Sequence, residues 1–418
     1  MPRQLNVARV ILDNPLPHLD RLFDYEIPAD LDQACLPGVK VKVKFSNRNM
    51  EAWVVEKVSS SNHQKKLSEI SKVISNYPVL TPEVLVLAQI VADKFLGNLT
   101  DVLRFAIPPR QAKIEKKFLL NSSKVIFNKS SLNYDFTSLV FPPCVNRNRY
   151  LVEKISKVKQ SNKQSILLFP NISLVEDFIE FIKNDNLDIK FQVLSAEQEP
   201  GIRYESFLTI LNNEVDLVLG TRNAVFAPLN NLGLIAMWDD ADENYFSQQS
   251  PYWNAREVAM IRAELNKCDF YAFGNSESIA INHEVKTNRA KREDFGNYQS
   301  SENWPEIFTL DSSTSDPLEK SKRLPKKAWE IIKDGLNKGN VLIQVPRLGY
   351  SSNLQCTDCR ESARCISCTG PIFIKVKNSA AECKWCGKIA SNWKCRFCNN
   401  KDFRISVIGQ TKTVEELG

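Results

Sequence analysis

The chain has 418 residues, of which 43% are hydrophobic and 25% are charged, so it is long enough for two to four globular domains. The formal net charge of +6 is compatible with a nucleic-acid partner but does not by itself indicate one. No apolar run reaches the roughly 18 residues that a membrane helix needs, and the first residues lack the apolar core of a signal peptide. We therefore expect a cytoplasmic protein with reduced thiols and no membrane partner.

Residues 1–110 predict a β-rich domain that ends in helix. Short β-branched or aromatic runs alternate there with Pro, Gly and Asn turns. Between Val39 and Lys44, valine and lysine alternate strictly, so we expect a buried valine face and three lysines directed to solvent. Thr81 followed by Pro82 predicts a helix start, and the apolar spacing of residues 84–96 continues that helix.

The rest of the chain predicts α/β architecture with one interruption. Apolar strands alternate with amphipathic helical segments, which indicates a parallel sheet covered by helices. The segments that we predict are a linker or reduced subdomain at 111–145, an α/β lobe at 146–290, an inter-lobe loop at 291–323, the start of a second lobe at 324–353 with a strand at 341–345, a cysteine-rich module at 354–400, and an incomplete continuation of the second lobe at 401–418.

Eight of the eleven cysteines form four Cys-x-x-Cys pairs within 43 residues. Each pair forms a knuckle that directs two thiolates at one metal, and two pairs complete a tetrahedral shell, so the spacing predicts two structural zinc ions. The segment between Cys368 and Cys383 is long enough for two short strands and a turn, as in a zinc ribbon. We therefore assign one zinc ion to Cys365, Cys368, Cys383 and Cys386, and the other to the enclosing Cys356, Cys359, Cys395 and Cys398.

The remaining three cysteines, Cys35, Cys144 and Cys268, are isolated in sequence, and we expect them to be buried small hydrophobic residues. Cations and aromatic side chains are interleaved with the cysteine pairs at Arg360, Arg364, Lys384, Trp385, Lys388, Trp393, Lys394 and Arg396. Such a surface can grip a DNA backbone and stack on bases. It can equally be the solvated face of an insertion that zinc holds together, and the sequence leaves both interpretations open.

A phosphate-binding loop is missing from the sequence. A P-loop ATPase requires Gly-x4-Gly-Lys followed by Ser or Thr, and no such stretch occurs. Residues 146–164, which precede an apolar strand, contain no glycine. Asp239 and Asp240 follow another apolar strand, where a Walker B motif places a magnesium ligand and a catalytic carboxylate. Without the loop we interpret them as a degenerate pair that caps the strand or pairs with Arg222 or Arg256, and we predict no catalytic residue.

Several segments together resemble the PriA replication restart family, the primosomal protein N′ proteins. Residues 7–28, with their Pro-Leu-Pro and Phe-Asp-Tyr elements, resemble the start of the family's 3′-DNA-binding domain, and residues 78–110 resemble its end. Residues 219–243 resemble the helicase stretch around the Walker B segment, and residues 345–356 resemble the segment that leads into the cysteines. The four-pair cysteine array completes the likeness.

The resemblance implies a multidomain α/β protein with a β-rich N-terminal DNA-binding domain, degenerate RecA-like helicase lobes and a two-zinc insertion. It implies binding to stalled or abandoned replication forks, D-loops and 3′ ends, at the nucleoid. It also implies promotion of primosome assembly, with primosome proteins, the replicative helicase or its loader, and single-stranded DNA-binding protein as partners.

The chain departs from the family at the motor. The phosphate loop is missing, the DEEH box corresponds to residues 239–242 with the sequence DDAD, and the GSATPS segment corresponds to residues 274–278 with the sequence GNSES. The family's winged-helix domain looks absent or reduced, and the chain stops inside the second lobe. This pattern is similar to the actinobacterial branch, in which the motor has decayed, and it favours binding without helicase activity.

The resemblance also implies a DNA-end site. Phe23 would stack on the terminal base of a nascent strand, and Asp24 would accept a hydrogen bond from its 3′-hydroxyl. Ser46 stands where family members carry a glycine, which leaves the tightness of this pocket open. The cations that we expect to contact phosphates are Lys40, Lys42, Lys44 and Arg48.

Two other functions remain open at this point. One is an active ATP-dependent 3′→5′ DNA helicase of the same family. The other is a zinc-ribbon transcription or RNA-processing factor.

Overall fold

The computed structural model describes residues 6–61, 63, 66–75, 77–118, 134–142, 145–293, 307–309, 326–344, 351–376 and 379–408. The chain divides into two compact units, Met1–Ile307 and Phe308–Gly418. Within the described ranges, no helix combines the length and apolarity needed to cross a membrane.

The first unit begins with an antiparallel sheet of five strands in the order β2-β1-β4-β3-β5. Its strands are β1 (Val7–Leu12), β2 (Leu22–Glu26), β3 (Lys40–Phe45), β4 (Arg48–Val58) and β5 (Ile70–Val73). Val41 and Val43 of β3 are fully buried, whereas Lys42 and Lys44 are exposed. The valine–lysine alternation therefore places one face of this strand in the core of the sheet.

Three helices follow: α1 (Pro82–Lys94), α2 (Leu99–Ala106) and α3 (Ala112–Lys117). As predicted, α1 begins after Thr81, whose hydroxyl oxygen accepts a hydrogen bond from the N–H of Val84 at 3.2 Å. Leu87 and Val91 of α1 are fully buried. They belong to a core that joins the N-terminal helices to the next sheet.

A second sheet of seven parallel strands has the order β12-β6-β11-β10-β7-β9-β8. Its strands are β6 (Phe136–Val140), β7 (Gln164–Leu168), β8 (Phe191–Leu194), β9 (Leu217–Gly220), β10 (Leu232–Trp238), β11 (Asp269–Gly274) and β12 (Lys291–Glu293). The strands β6 and β12 lie in the segments that we predicted to be a linker and an inter-lobe loop. Both pair only with strands distant in sequence or with each other, so local pattern does not reveal them.

Helices cover both faces of this sheet. The helices after α3 in this unit are α4 (Arg147–Gln160), α5 (Ile172–Asn184), α6 (Pro200–Leu211), α7 (Ala255–Asn266) and α8 (Ile279–Lys286). Leu167 of β7 packs into a core with α4 and α5. Its neighbours Ile166 and Leu168 face the opposite core, which includes α1, α2, α6 and α7. The N-terminal domain is thus packed directly onto one face of the parallel sheet.

In the second unit, α9 (Lys326–Lys338) precedes the cysteine-rich module. Two antiparallel ribbons form that module, one from β13 (Ser351–Cys356) and β16 (Phe403–Ile408), the other from β14 (Ile372–Phe373) and β15 (Glu382–Cys383). The strand predicted at 341–345 is wrong over its described residues 341–344, which pair with no described strand. The strand β16 lies in the segment predicted to continue the second lobe, and it pairs antiparallel with β13.

Candidate DNA-end pocket and metal centres

A surface pocket of about 620 Å³ surrounds the Phe-Asp-Tyr segment of β2. The residues that line it are Arg21, Leu22, Phe23, Asp24, Tyr25, Lys44, Phe45, Ser46, His63, Lys66, Leu67 and Ser68. The pocket brings together three of the predicted DNA-binding residues, Phe23, Asp24 and Lys44. Its size suits one nucleotide-sized ligand group.

Phe23 is half-buried at this pocket and is held by two neighbours. Its ring meets Phe45 edge-on, with centroids 5.2 Å apart and planes at 72°. The guanidinium carbon of Arg21 lies 4.9 Å from the Phe23 centroid. The ring is therefore fixed in orientation, and the cation over it adds positive charge beside the stacking surface.

Asp24 is oriented from both sides. Arg9, its partner across the strand pair, places Nε 3.5 Å from Oδ1, and the hydroxyl of Ser61 donates a hydrogen bond to Oδ2. Arg9 is itself anchored by Glu56 at 2.8 Å. A carboxylate offers about four acceptor positions, so Asp24 retains capacity for one further donor.

The turn between β3 and β4 forms one rim of the pocket. Ser46 and Asn47 both have positive φ, +45° and +63°, the left-handed region that favours glycine. Ser46 therefore adopts a backbone conformation that glycine favours.

The predicted phosphate-contacting cations differ in availability. Lys42, Lys44 and Arg48 are exposed. Lys40 does not face solvent as expected: its side chain is 15% exposed, and Nζ lies 2.9 Å from Asp13 and 2.7 Å from Glu51. The two carboxylates and the ring of Trp53, whose centroid lies 4.8 Å from Nζ, hold the Lys40 side chain in a structural cluster.

The ion pairs around Lys40 also explain the state of Asp13. Burial opposes ionisation of Asp13, but the charges of Lys40 and Arg104 lower its pKa overall. Arg104 contacts the same carboxylate at 3.0 Å. This cluster stabilises the junction of β3 with α2 rather than presenting free cations.

Among the polar side chains at the pocket, sequence reasoning missed Arg21, His63, Lys66 and Ser68, which line it, and Ser61, which donates to Asp24. Ser61, His63 and Lys66 lie in the segment between β4 and β5, which has no periodicity to mark it. Arg21 is only two residues from Phe23, and an arginine beside a predicted stacking ring is a signal that the sequence does offer.

The carboxyl edge of the parallel sheet, where open α/β sheets bind ligands, is packed with aromatic rings. Phe141, which follows β6, contacts Tyr150, Trp238 and Phe273 at centroid distances of 5.4, 6.2 and 6.0 Å. The guanidinium of Arg147 lies 4.3 Å from the Trp238 ring. Large side chains thus occupy the part of this edge that lies beside β6, β10 and β11.

The acidic pair after β10 lies at the same edge. Asp240 is buried; its Oδ2 lies 3.2 Å from Arg256 and accepts a 2.6 Å hydrogen bond from Ser278. Asp239 has φ +50°, and burial together with the charges of Asp242 and Asp240 raises its pKa. Of the two arginines proposed as partners, Arg256 pairs with Asp240.

The other proposed partner, Arg222, donates instead to the backbone carbonyls of Asn244 and Phe246. The acidic pair therefore follows the end of β10, and Asp240 forms an ion pair with Arg256. Asp240 is therefore committed to structural contacts.

The eight paired cysteines gather into the two tetrads expected from their spacing: Cys356, Cys359, Cys395 and Cys398 in one, and Cys365, Cys368, Cys383 and Cys386 in the other. Within each tetrad all Sγ atoms lie within 4.8 Å of one another, with closest approaches of 3.3 to 3.8 Å. Four sulfurs at about 2.3 Å from a tetrahedral zinc are separated by about 3.8 Å. The donor set and its dimensions therefore fit a metal ion in each tetrad.

Backbone N–H groups of the knuckles favour the thiolate form at Cys365 and Cys395. Those of Cys368 and Ser367 lower the pKa of Cys365 to about 6, and those of Cys398 and Phe397 lower the pKa of Cys395 to about 7. Deprotonated sulfur is the form that binds metal.

Several interleaved side chains of the module have structural partners. Trp393 is buried and donates Nε1–H to the carbonyl of Arg364 at 2.9 Å. Arg396 donates to the carbonyl of Cys365 at 2.9 Å, and Lys388 donates to the Ser367 hydroxyl at 2.8 Å. The Trp393 and Arg396 contacts link knuckles of the two tetrads. The Lys388 contact links the two knuckles of the tetrad that contains Cys365.

The isolated cysteines that are described agree with expectation. Cys35 and Cys268 are buried, and burial raises the pKa of their thiols to about 11 and about 12. Cys144 lies outside the described residues. Neither described thiol is poised for chemistry.

A family model described as 3'DNA-binding domain (3'BD) matches residues 9–108. The chain is 32% identical over 429 residues to a probable replication restart protein PriA of Mycobacterium bovis, which covers 96% of this chain and 65% of that protein. It is 26% identical over 404 residues to the replication restart protein PriA of Rickettsia conorii, which covers 92% of this chain and 60% of that protein.

The chain thus spans between 60% and 65% of the length of these relatives. One similar solved structure is the Mss116p DEAD-box helicase domain 2 bound to an RNA duplex. The match covers 39% of this chain and 66% of the Mss116p chain, with 15% sequence identity and a TM-score of 0.30. That score is too low to add to the assignment.

The predicted fold class is confirmed: a β-rich N-terminal domain precedes a parallel α/β sheet, and two cysteine clusters able to bind metal follow. The DNA-end pocket lies within the residues that the domain model matches. Together with the similarity across 96% of its length, these features place the chain in the PriA replication restart family.

Proposed function

We propose that this chain binds DNA 3′ ends at stalled or abandoned replication forks, and that it promotes primosome assembly and helicase reloading by binding rather than by ATP-driven unwinding. The observation that carries this proposal is the pocket around Phe23 and Asp24, inside the residues that match a 3′ DNA-binding domain. The relatives that the chain resembles are named replication restart proteins, which supports the same proposal.

In this pocket each group has a separate task. Asp24, held by Arg9 and Ser61, accepts the hydrogen bond of a terminal 3′-hydroxyl. Phe23 supplies a ring on which any terminal base can stack, because every base has a π-face. Lys44 and Lys66 line the same pocket and attract the phosphates that precede the end. Recognition is then specific for a free end and indifferent to sequence.

We propose binding without unwinding because the chain lacks the groups that hold and hydrolyse a nucleotide in a helicase motor. The sequence contains no phosphate-binding loop. Asp240, which stands at the Walker B position, is buried in an ion pair with Arg256 and a hydrogen bond from Ser278. Aromatic side chains at Phe141 and Trp238 fill part of the sheet edge where phosphates would lie.

The two tetrads would hold zinc, which supplies structural cross-links to a module with a small apolar core. We propose that this module serves contacts with primosome proteins, the replicative helicase or its loader, and single-stranded DNA-binding protein, at the nucleoid. Binding of the DNA end by the first unit would bring those partners to the fork.

The test compares forked DNA with a free 3′-hydroxyl and the same fork with a 3′-phosphate, by fluorescence anisotropy without nucleotide. Removing a hydrogen bond to a charged acceptor costs about 1.5–3 kcal/mol, or about tenfold or more in affinity. We expect wild type to prefer the free end by about that factor. Asp24→Asn should abolish the preference, and Asp30→Asn, which changes an exposed carboxylate of the same domain, should keep it. Equal affinity of wild type for both forks would refute the proposal.

A further inference from the structure

The cysteine-rich module carries an open groove of about 890 Å³ on the surface of the second unit. The residues that line it are Ile366, Ala380, Ala381, Ile389, Ala390, Ser391, Asn392, Trp393, Lys394, Lys401 and Phe403. We call it the zinc-module groove. Its volume falls in the range typical of ligand sites, although the module that bears it has only a small core.

The floor of the zinc-module groove is aliphatic and open to solvent. Ile366 and Ile389 are 55% and 59% exposed, and three alanines lie beside them. An exposed cluster of this kind on a small module marks an interaction site. Apolar side chains of a partner would remove these surfaces from water.

The same floor is poorly suited to nucleobases. The buried ring of Trp393 packs edge-on against Phe403, with centroids 5.6 Å apart, and its Nε1–H is bound to a carbonyl. The exposed rings of the module, Trp385 and Phe397, do not line the groove. A groove without a free aromatic face lacks the stacking platform on which single strands depend.

The charge of the groove is purely cationic. Lys394 and Lys401 are exposed along it, and among the described residues no carboxylate lines the groove or pairs with either lysine. Arg396 differs, because its guanidinium is bound to the carbonyl of Cys365. Two unpaired ammonium groups beside an aliphatic floor complement a segment that presents carboxylates next to apolar side chains.

The walls of the groove are held in place by hydrogen bonds. Ala390 N–H donates to the carbonyl of Ala381 at 2.8 Å, and Trp393 and Arg396 tie one knuckle to another. The groove is therefore formed before any partner arrives, which limits the entropy lost on binding.

We propose that the zinc-module groove binds an acidic, apolar peptide segment of a partner protein. Leucine, isoleucine or phenylalanine side chains of that segment contact Ile366 and Ile389, and its carboxylates pair with Lys394 and Lys401. This proposal rests on the protein contacts proposed above for the cysteine-rich module and not on the pocket around Phe23, because the two sites share no residue.

The experiment uses the full chain loaded with zinc and a fluorescein-labelled octapeptide, Asp-Leu-Asp-Phe-Asp-Leu-Asp-Ile. A matched peptide with lysine at each aspartate and a twelve-residue oligothymidylate are the comparison ligands. We expect saturable anisotropy changes with the acidic peptide, at least tenfold weaker binding of the basic peptide, and no displacement by oligothymidylate. Equal binding of both peptides, or displacement by the oligonucleotide, would overturn the proposal.

Variants locate the binding. The double change Lys394→Glu and Lys401→Glu should weaken the acidic peptide about tenfold or more, since each reversed charge alters a rim ion pair, and should strengthen the basic peptide. Ile366→Ser with Ile389→Ser should weaken both peptides. Lys384→Glu, outside the groove, is the charge control and should change neither; an equal effect of this variant would contradict the site. Zinc content measured on every variant verifies that the module is folded.

Discussion

Arg262 is the most informative residue for the packing of the N-terminal domain onto the parallel sheet. It lies on α7, is completely buried, and reaches Glu83 of α1 at 2.9 Å. The same guanidinium donates to the carbonyls of Val225 and Ala227 at 2.5 and 2.7 Å. One side chain therefore joins the domain that holds the DNA-end pocket to the sheet and to the segment after β9.

Replacing Arg262 with methionine keeps much of the side-chain volume but leaves three acceptors without their donor. Removing one partner of a buried ion pair costs about 3–5 kcal/mol, because the other charge stays buried and unpaired. The two carbonyls add to this penalty where water cannot reach them. We therefore expect Arg262→Met to lower the free energy of unfolding by about 4 kcal/mol, a large fraction of the total stability of a domain.

Urea unfolding followed by tryptophan fluorescence and far-ultraviolet circular dichroism measures this loss. Arg289→Met is the control, since Arg289 is 57% exposed and pairs with Glu264 and Glu284 on the surface. We expect that control to change stability by less than about 1 kcal/mol. A loss of less than about 1 kcal/mol for Arg262→Met would show that the buried pair does not hold the two parts together, and would refute the reasoning.

Three further predictions concern the turn, a surface ion pair and the metal centres. Ser46→Gly should raise the free energy of unfolding by about 0.5–1 kcal/mol in urea titrations, because φ +45° suits glycine, whereas a loss of stability would contradict this view. The hydrogen bond from Arg292 lowers the pKa of Glu277 from 4.5 to about 2, so Glu277 stabilises the fold above pH 4.5 and this stabilisation is lost as the pH falls toward 2. Glu277→Gln should therefore be less stable at pH 7 and show a shallower decline between those values in thermal melts; parallel curves would count against the ion pair. Cys386→Ser should reduce the zinc content measured by mass spectrometry from two ions per chain to one, and an unchanged content would contradict the assignment of that tetrad.

The cysteine tetrads were predictable because their geometry is local. A Cys-x-x-Cys knuckle directs both sulfurs at one point whatever surrounds it, and the 14 residues between Cys368 and Cys383 leave room for the β14–β15 ribbon. The start of α1 was predictable for the same reason, since Thr81 and Pro82 act within one helical turn.

Features that depend on distant pairing were not predictable. The strand β6 belongs to the parallel sheet because it pairs with β11, whose residues lie 134 positions further along the chain, and β12 joins the sheet by pairing with β6. Lys40 looked like a solvent-facing cation until Asp13 and Glu51 were brought beside it by neighbouring segments. Periodicity reports which face of a strand is apolar and carries no information on which charges meet across a sheet.

The burial of Arg262 could have been predicted from the sequence, although the sequence analysis did not predict it. It follows Val258 by four positions and Ala259 by three, so helical spacing places it on the apolar face of α7. A charged residue in such a position is expected to have a buried partner. Its partner, Glu83, lies 179 residues away and only the fold reveals it.

The central claim is that this chain recognises a free DNA 3′ end without using nucleotide. The most direct measurement is the ratio of its affinities for one fork bearing a 3′-hydroxyl and the same fork bearing a 3′-phosphate, determined with and without ATP and magnesium. We predict a preference of about tenfold or more for the hydroxyl end that is the same in both conditions, with no ATP hydrolysis. Equal affinities for the two ends, or DNA-stimulated hydrolysis of ATP, would contradict the account.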